Sequence, residues 1–274
     1  NACKELLQGR SVDLIASHGH TIFHKPEEGL TTQIGCGASI AATSGMPVAC
    51  DFRTTDVALG GQGAPLVPLG EHVLFPGYAA FVNLGGIGNI AVHGAGSVSG
   101  YDIGPCNMAL NLLAEEAGRA YDDGGGIAAS GKVIIGLLDE LNALPFYTEQ
   151  PPRSLGREWF DANIRGLISS PAHSLQDRMR TMVEHIAHWT AAELDRSGAS
   201  NALFTGGGAH NRFLIQRIKA LSQVQVHLPE RSIIDYKEAL IFALLGVLRL
   251  RGEVTALASV TGASRNSVGG AFYH

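Results

Sequence analysis

The chain has 274 residues, of which 45% are hydrophobic and 16% charged, and its formal net charge is −5. This balance predicts a folded globular protein and excludes a disordered chain. The absence of a broad basic face argues against a nucleic-acid partner, because binding to a phosphate backbone needs clustered lysine and arginine. The four cysteines form no C-x-x-C pair, so neither a zinc knuckle nor a disulfide framework is indicated, and a reducing cytoplasm fits best.

The first third of the chain predicts short strands that alternate with helices. Strand ends are followed by polar side chains at His18 and Arg53, where an α/β sheet usually presents reactive groups. Residues 59–68 are rich in glycine and proline and cannot form a regular helix or a central strand. The predicted elements are a helix end at 4–8, strands at 12–16, 30–34 and 47–50, and a small-residue helix at 38–44.

The rest of the chain predicts a larger α/β domain. Its longest apolar run, residues 239–248, is far shorter than the roughly 20 residues that span a bilayer, so we expect a buried helix and no membrane partner. The predicted strands are 79–84, 90–93, 98–101, 202–205 and 224–227. The predicted helices are 108–117, 129–144, 175–196, 212–221 and 233–250.

Three glycine-dense segments follow or lie close to predicted strands, at residues 84–89, 100–107 and 204–211. Glycine lets the main chain approach a ligand and take positive φ at little steric cost. Several such turns at strand ends predict one cleft that receives phosphates. No G-x-x-x-x-G-K-[ST] pattern occurs, which argues against a P-loop enzyme.

Seven blocks carry more specific information than the pattern of elements does. They are residues 17–21 (SHGHT), 51–68 (DFRTTDVALGGQGAPLVP), 83–89 (NLGGIGN), 101–107 (YDIGPCN), 154–158 (SLGRE), 205–211 (TGGGAHN) and 260–264 (VTGAS). Together they closely resemble the anhydro-N-acetylmuramic acid kinase family. The resemblance runs from near residue 12 to the C-terminus, and the block at 51–68 is highly specific.

The resemblance implies an α/β protein with two ribonuclease-H-like domains of the sugar kinase, Hsp70 and actin superfamily, closing over ATP. It also implies the reaction: water opens 1,6-anhydro-N-acetylmuramic acid and the released 6-hydroxyl is phosphorylated. The product would be N-acetylmuramic acid 6-phosphate, in peptidoglycan recycling. The cofactors implied are ATP and Mg²⁺, the partner is a small amino sugar, the location is cytoplasmic, and the family suggests a homodimer.

We expect residues 1–76 to be the remainder of an N-terminal, substrate-side domain. Residues 77–274 are expected to form a C-terminal nucleotide-binding domain, with the last helix or tail able to return to the first domain. Family members begin with a strand and a phosphate turn rich in Ser, Thr, Gly and Asp, and nothing like it precedes Val12. We therefore expect the first domain to be incomplete. His20 stands where the family usually has Gln, and Cys106 where it often has Gly.

Two carboxylates are the expected catalytic residues. Asp102, predicted to end a strand and face a turn, is the candidate general base that takes a proton from water as the water attacks the anomeric carbon. Alternatively, it caps the approach to the 108–117 helix or binds a turn amide. Glu238, predicted one turn into a helix, could orient the sugar or the water, although the helix macrodipole alone also favours a glutamate there.

The substrate is expected to contact the first domain. Arg53 and Asp56 lie beside the glycine-rich loop, where a guanidinium and a carboxylate could hold the lactyl carboxylate and sugar hydroxyls, or could equally form a salt bridge that staples the loop. We assign Asp56 to substrate or magnesium. His18 and Gln62 are the other expected substrate-binding residues.

The nucleotide is expected to contact the glycine turns. The residues expected near the β- and γ-phosphates, through main-chain amides, are Gly85, Gly86 and Asn89. Those expected near adenosine and the α-phosphate are Gly206, Gly207, Gly208 and Asn211. A metal site formed by His18, His20 and His24 is disfavoured because a fourth ligand is missing, so Mg²⁺ is expected to be carried by ATP.

Two alternative functions remain open on the sequence. One is a catalytically impaired sugar- or nucleotide-binding module, because the first phosphate turn is missing. The other is a different member of the superfamily, such as a general hexose kinase or an actin-like ATPase. The block at residues 51–68 argues against the second alternative, since those relatives do not share it.

Overall fold

The computed structural model describes residues 2–94, 98–151 and 153–274. It shows a mixed α/β chain that forms two compact units. Unit 1 contains Asn1–Pro76 and Tyr236–His274, and unit 2 contains Gly77–Asp235. Unit 1 is therefore built from two separate segments of the chain, whereas unit 2 is continuous.

Strands and helices alternate along much of the chain. The strands are β1 Ile15–Ser17, β2 His20–Lys25, β3 Leu30–Ile34, β4 Val48–Cys50, β5 Ala80–Leu84, β6 Ile87–His93, β7 Val98–Pro105, β8 Asn201–Thr205, β9 Gln225–His227 and β10 Ala271–Tyr273. The helices are α1 Ala2–Leu7, α2 Gly37–Ser44, α3 Thr54–Ala58, α4 Val67–Leu74, α5 Asn107–Glu116, α6 Gly126–Ser130, α7 Ile135–Asn142, α8 Arg157–Asn163, α9 Arg165–Ile168, α10 Leu175–Ser197, α11 Arg212–Leu221, α12 Arg231–Arg251 and α13 Ala258–Thr261.

The core of unit 1 lies between a small sheet and α12. The sheet has the order β1-β4-β10, with β1 parallel and β10 antiparallel to β4, and β2 and β3 form a separate antiparallel hairpin. Every residue of β4 is buried, as its apolar sequence predicts. Gly246 lets α12 approach β1 closely, since a Cβ there would lie 2.7 Å from the Cβ of Ala16.

Unit 2 contains a five-stranded sheet in the order β7-β6-β5-β8-β9. Strands β5, β6 and β7 form an antiparallel meander, and β8 and β9 run parallel to β5. One face of the sheet carries apolar residues such as Val82, Leu84 and Phe204 and packs against a core that includes residues of α5, α10 and α11. The long helix α10 is capped by Ser174, whose hydroxyl accepts a hydrogen bond from the Asp177 amide at 3.1 Å.

Several expected elements are confirmed, and others are wrong for identifiable reasons. The bounds of β3 and α11 agree with the expectation to the residue. Residues 20–25, to which no element was assigned, form β2. The helix expected at 129–144 is two helices, α6 and α7, because Gly131 packs against the backbone at Gln176. α4 begins within the expected irregular segment, since Pro68 is tolerated in the first turn of a helix.

The largest difference concerns the second glycine-dense segment. Residues 100–107 were expected to form a turn after a short strand, but β7 continues to Pro105. The strand tolerates Pro105 because it lies at the strand end. Asp102 therefore lies inside a strand, not at its end. Among the described residues, no helix combines the length and the apolar character that crossing a bilayer requires.

Candidate functional site

Four polar side chains form a row across the sheet of unit 2. In the strand register, Asn83 lies opposite both Asn89 and Thr205, and Asn89 lies opposite Asp102. Residues directly opposite each other project from the same face of a sheet. We call these four residues the polar row. The neighbouring residues of β5 project from the other face, into the core.

Thr205 closes the polar row at β8, and its hydroxyl is unusual. The residue is only 1% exposed, and among the described residues no hydrogen-bond partner reaches its Oγ1. A buried hydroxyl without a partner carries a free-energy cost, which a bound ligand or water would remove. Neither Thr205 nor Asn83 was among the residues expected in the site. A polar residue that interrupts the apolar strand at 80–84 is the signal that could have identified Asn83.

A β-bulge lies at Asp102. Asn89 pairs with Asp102 and Gly88 pairs with Gly104, so Ile103 is an extra residue on β7. Bulges of this kind redirect side chains and are frequent beside active sites. Asn89 itself lies within a central strand that is paired on both sides. Its side chain, and not its main-chain amide, is thus the group that could reach a ligand, which corrects the expectation for Asn89.

The carboxylate of Asp102 is half-buried and held on one side. Its Oδ2 accepts a hydrogen bond from the Leu155 amide at 3.0 Å, and among the described residues no donor reaches Oδ1. Burial raises the pKa of Asp102, an effect that the Leu155 hydrogen bond and the Arg153 charge partly oppose. The expected alternative of helix capping is not what the structure shows, since the residue that precedes α5 is Cys106. The turn-amide alternative corresponds to the bond with Leu155, which leaves one oxygen open to a ligand.

The first glycine turn joins β5 to β6 and is bound to the start of α5. The carbonyl of Gly85 accepts a hydrogen bond from the Asn107 amide, and the carbonyl of Gly86 accepts from Cys106 and Met108. Gly86 is exposed, and a Cβ added to it would meet no atom within 4 Å. The fold leaves space at Gly86 that a ligand could use.

The second glycine turn follows β8 and packs against the first. Gly206 has φ of +81°, and a Cβ there would lie 2.8 Å from the carbonyl carbon of Leu84. A Cβ on Gly208 would lie 2.7 Å from the Cβ of Leu84. The structure therefore brings residues 85–86 and 206–208 together, at the ends of two neighbouring parallel strands. Gly207 is exposed, like Gly86.

Asn211 has a structural task beside this turn. Its Oδ1 accepts a hydrogen bond from the Leu214 amide at 3.0 Å and caps α11, and the residue is 8% exposed. An asparagine at this point of the motif is therefore explained by helix capping. Its expected contact with the nucleotide is not required to account for it.

His18 and Arg53 form a polar pair in unit 1. The Nδ1 of His18 lies 2.8 Å from the carbonyl oxygen of Gly19 and so carries the proton, which makes Nε2 the acceptor for Arg53 at 2.9 and 3.2 Å. Burial, together with the Arg53 charge, lowers the pKa of His18 and favours this neutral form. The imidazole also lies against the ring of Phe242, with 4.5 Å between ring centroids.

Glu238 joins this pair from α12. Its negative charge raises the pKa of both His18 and Arg53, although burial dominates at each of them. Glu238 is exposed and is the eighth residue of α12, because the helix begins two residues earlier than expected. Unit 1 thus brings together His18, Arg53 and Glu238. Gln62 is exposed between two buried glycines, and its backbone amide donates a hydrogen bond to the carbonyl of Thr261.

Asp56 does not form the open ligand site that was expected. It is completely buried, its Oδ2 accepts a hydrogen bond from the Gly63 amide at 2.8 Å, and its Oδ1 accepts from the Thr261 hydroxyl at 2.7 Å. Both oxygens therefore hold the 60–63 loop against the 261–264 segment. We correct the assignment of Asp56 from ligand binding to loop positioning, because a carboxylate without exposed surface does not reach a sugar or a hydrated metal ion.

The turns fit a phosphate chain better than they fit a protein metal cage. Within residues 2–94, 98–151 and 153–274, no three His, Cys, Asp or Glu side chains converge as metal ligands. The backbone is exposed at both Gly86 and Gly207, and at Gly86 a Cβ would meet no atom within 4 Å; exposed glycine backbone of this kind is a surface that phosphates use. A magnesium ion here would take its ligands mainly from the phosphates and water.

Comparison with known proteins gives a consistent result. A family model described as anhydro-N-acetylmuramic acid kinase matches residues 2–274. The protein of that name from Sulfurovum sp. is 36% identical over 282 residues, which cover 98% of this chain and 77% of that protein. The one from Pseudomonas putida is 38% identical over 288 residues, covering 97% and 77%.

Solved structures show a weaker likeness. The xylulose kinase from Rhodospirillum rubrum is 20% identical with a TM-score of 0.44, covering 77% of this chain and 45% of that chain. At this TM-score the likeness does not establish a shared fold. The family match and the curated relatives are sufficient by themselves, and the chain belongs to the anhydro-N-acetylmuramic acid kinase family.

Proposed function

We propose that this chain is an ATP-dependent kinase that opens the 1,6-anhydro bond of anhydro-N-acetylmuramic acid and phosphorylates O6. The product is N-acetylmuramic acid 6-phosphate, a step of peptidoglycan recycling. Family membership supports the reaction class. The observation that carries the chemistry is Asp102, a half-buried carboxylate with one oxygen held by Leu155 and the other without a donor among the described residues.

Asp102 is the general base of this proposal. A water oxygen bonds to the anomeric carbon, the bond from that carbon to O6 breaks, and Asp102 takes one proton of the water at Oδ1. O6 then bonds to the terminal phosphorus of ATP, and ADP leaves. The raised pKa of Asp102 suits a base, because a carboxylate that is more basic accepts the proton more readily.

The nucleotide is assigned to unit 2. Gly85, Gly86, Gly206, Gly207 and Gly208 provide the backbone surface for the phosphates and adenosine, and Asn89 and Asn211 border it. Mg²⁺ carried by the phosphates would neutralise charge that develops during transfer. The chain's own contribution is orientation, through turns that are held by Leu84, Asn107 and the start of α5.

The sugar is assigned to His18, Arg53, Gln62 and Glu238 of unit 1. A guanidinium suits the lactyl carboxylate, because it forms two parallel hydrogen bonds with such a group. His18 presents Nε2 as an acceptor when Arg53 turns toward the substrate. Glu238 supplies a carboxylate for a sugar hydroxyl or for the water. Asp56 is left out of the contact set, since it only positions the loop that bears Gln62.

We also propose a ribonuclease-H-like fold for unit 2, as the nucleotide domain. The supporting observation is its sheet, in which a three-stranded antiparallel meander is extended by two parallel strands in the order β7-β6-β5-β8-β9. Unit 1 is proposed as the substrate-side domain. Placement in the cytoplasm and assembly as a homodimer remain part of the proposal on family grounds.

The function is tested with the full-length protein, ATP, Mg²⁺ and the anhydro sugar in ¹⁸O-labelled water. We expect a sugar 6-phosphate in which one ¹⁸O is on the sugar and none is on the phosphate, since water attacks carbon. Label in the phosphate would mean ATP hydrolysis. Turnover of glucose without turnover of the anhydro sugar would support a general hexose kinase and overturn the proposal.

A further inference from the structure

We propose that Arg153 and Glu193 are positioning residues for Asp102. Their buried ion pair holds residues 153–155 against β7, so that the Leu155 amide occupies Oδ2 of Asp102 and Oδ1 is left to the water. The inference rests on the proposed role of Asp102 as general base. Neither residue of the ion pair was among the expected site residues.

The guanidinium of Arg153 is held at all three of its nitrogens. Nη2 donates to Oε1 of Glu193 at 2.7 Å, Nη1 donates to the carbonyl of Glu149 at 2.8 Å, and Nε donates to the carbonyl of Asp102 at 3.2 Å. The side chains of Arg153 and Glu193 are 2% and 0% exposed. A planar fork fixed in this way has a single orientation, which a lysine ammonium could not reproduce.

Glu193, which lies on α10, also contacts β7. Its Oε2 accepts a hydrogen bond from the Tyr101 hydroxyl at 3.0 Å, and Arg196 lies 3.2 Å from Oε1. Burial, together with Glu193, raises the pKa of Tyr101 to about 12, so the phenol stays protonated and remains a donor. Because Tyr101 directly precedes Asp102, α10 is linked to the strand at the residue next to the base.

Residues 153–155 cover the outer edge of the sheet at Asp102. β7 is an edge strand, and the Asp102 amide donates to the Arg153 carbonyl at 3.0 Å. Two residues later, the Leu155 amide donates to the Asp102 carboxylate. The base is thereby enclosed between its own strand neighbours and a segment whose position depends on Arg153.

The energetics of the Arg153–Glu193 ion pair favour a positioning role over a role in stabilising the fold. A buried ion pair gains little net free energy, because removing two charges from water costs about as much as their attraction returns. An apolar pair could fill the same space, but it would not hold the Asp102 carbonyl or set the direction of Leu155. Loss of the Leu155 hydrogen bond would also remove a contact that lowers the pKa of Asp102.

The test compares Arg153→Met and Arg153→Lys with Arg178→Met. Arg178 is the matched control: it is also buried, and it pairs with Glu116, away from β7. We expect both Arg153 variants to lose kcat by on the order of tenfold or more, because misplacement of a reacting group has costs of this size. We also expect the acid limb of kcat/KM to move to higher pH, with the KM for ATP unchanged. Arg178→Met should lower Tm without moving that limb.

If the single variants do not fold, the double variant Arg153→Met/Glu193→Met takes their place in the test. It removes both charges and leaves no buried charge without a partner. A folded double variant with the shifted limb supports the inference. A folded Arg153 variant or double variant with lower Tm but with the parent kcat and acid limb overturns it. If instead Asp102→Asn kept full turnover, the proposed function itself would fail, which separates the two results.

Discussion

Asn89 and Asp102 face each other across the β6–β7 ladder, at the point where the register shifts by one residue. Asn89 also lies opposite Asn83, so the proposed base is one end of a polar row that crosses four strands. The core packs against the other face of the same strands. A sheet of this kind separates two tasks, because its apolar face fixes the strand positions while its polar face stays available for a ligand.

Replacement of Asp102 by asparagine is expected to abolish turnover and leave ATP binding intact. The amide keeps the shape of the side chain but cannot accept a proton at neutral pH, so general-base catalysis of about 100-fold or more is lost. Steady-state kcat and a calorimetric Kd for ATP are the measurements. Near-parental kcat in the asparagine variant would rule out the base role.

The pH dependence of kcat/KM should have an acid limb above the 3.8 of an ordinary aspartate. Burial raises the pKa of Asp102, and the base acts only when it is deprotonated, so activity falls as the pH drops through that raised pKa. The limb is measured as kcat/KM against pH, and the stability of the fold is measured at each pH to detect acid unfolding. A limb that coincides with acid unfolding would not report Asp102, and one at or below 3.8 would contradict the expected direction.

Alanine at Gly86 is expected to leave Tm unchanged and to raise the KM for ATP. The fold has space for a methyl group at Gly86, so only a ligand that approaches the backbone closely would be obstructed. The matched control is Gly77→Ala, also in open space, which should change neither quantity. Gly206→Ala should instead lower the unfolding free energy by about 1–3 kcal/mol, since φ is positive there. An unchanged KM for ATP in Gly86→Ala would remove this turn from the nucleotide site.

Asparagine at Asp56 is expected to destabilise unit 1 by about 2–4 kcal/mol, because one of two hydrogen bonds to a buried carboxylate is lost. The new NH₂ group would face the Gly63 amide or the Thr261 hydroxyl. Denaturant unfolding measures the effect, and Asp13→Asn, at an exposed position of the same unit, is the control. A parental unfolding free energy combined with a higher KM for the sugar would restore the ligand role.

Glutamine at Glu238 is expected to raise the KM for the sugar with little change in Tm. Glu238 lies beyond the first turn of α12, where the macrodipole effect has faded, so the dipole alone does not explain it. Glu253→Gln, which alters another exposed carboxylate of unit 1, should leave KM unchanged. Equal KM values in the two variants would remove Glu238 from the site.

Local patterns in the sequence predicted local structure well. Both β3 and α11 were predicted with their observed bounds. The length of β7 was missed because Gly100, Gly104 and Pro105 are typical of turns, whereas here the partner strand β6 keeps them extended. Pairing between strands that are distant in sequence overrides local preference.

The site was predictable only in part for the same reason. Asp102 and the glycine turns carry motifs, and the structure places each of them in unit 2. The burial of Asp56, however, depends on Thr261, which lies 205 residues away. The surroundings of Asp102 depend likewise on Glu193 of α10. Contacts of this range leave no spacing or periodicity in the chain that could reveal them.

The discontinuous make-up of unit 1 has a consequence for synthesis. Unit 2 is contiguous and can fold once residue 235 has left the ribosome, but β4 acquires its partner β10 only when residues 271–273 emerge. The usual order in which the N-terminal part folds first is thus reversed. While unit 2 is being translated, residues 1–76 lack the apolar residues of α12 and the strand β10, so the core of unit 1 stays incomplete until residues 236–274 have been made.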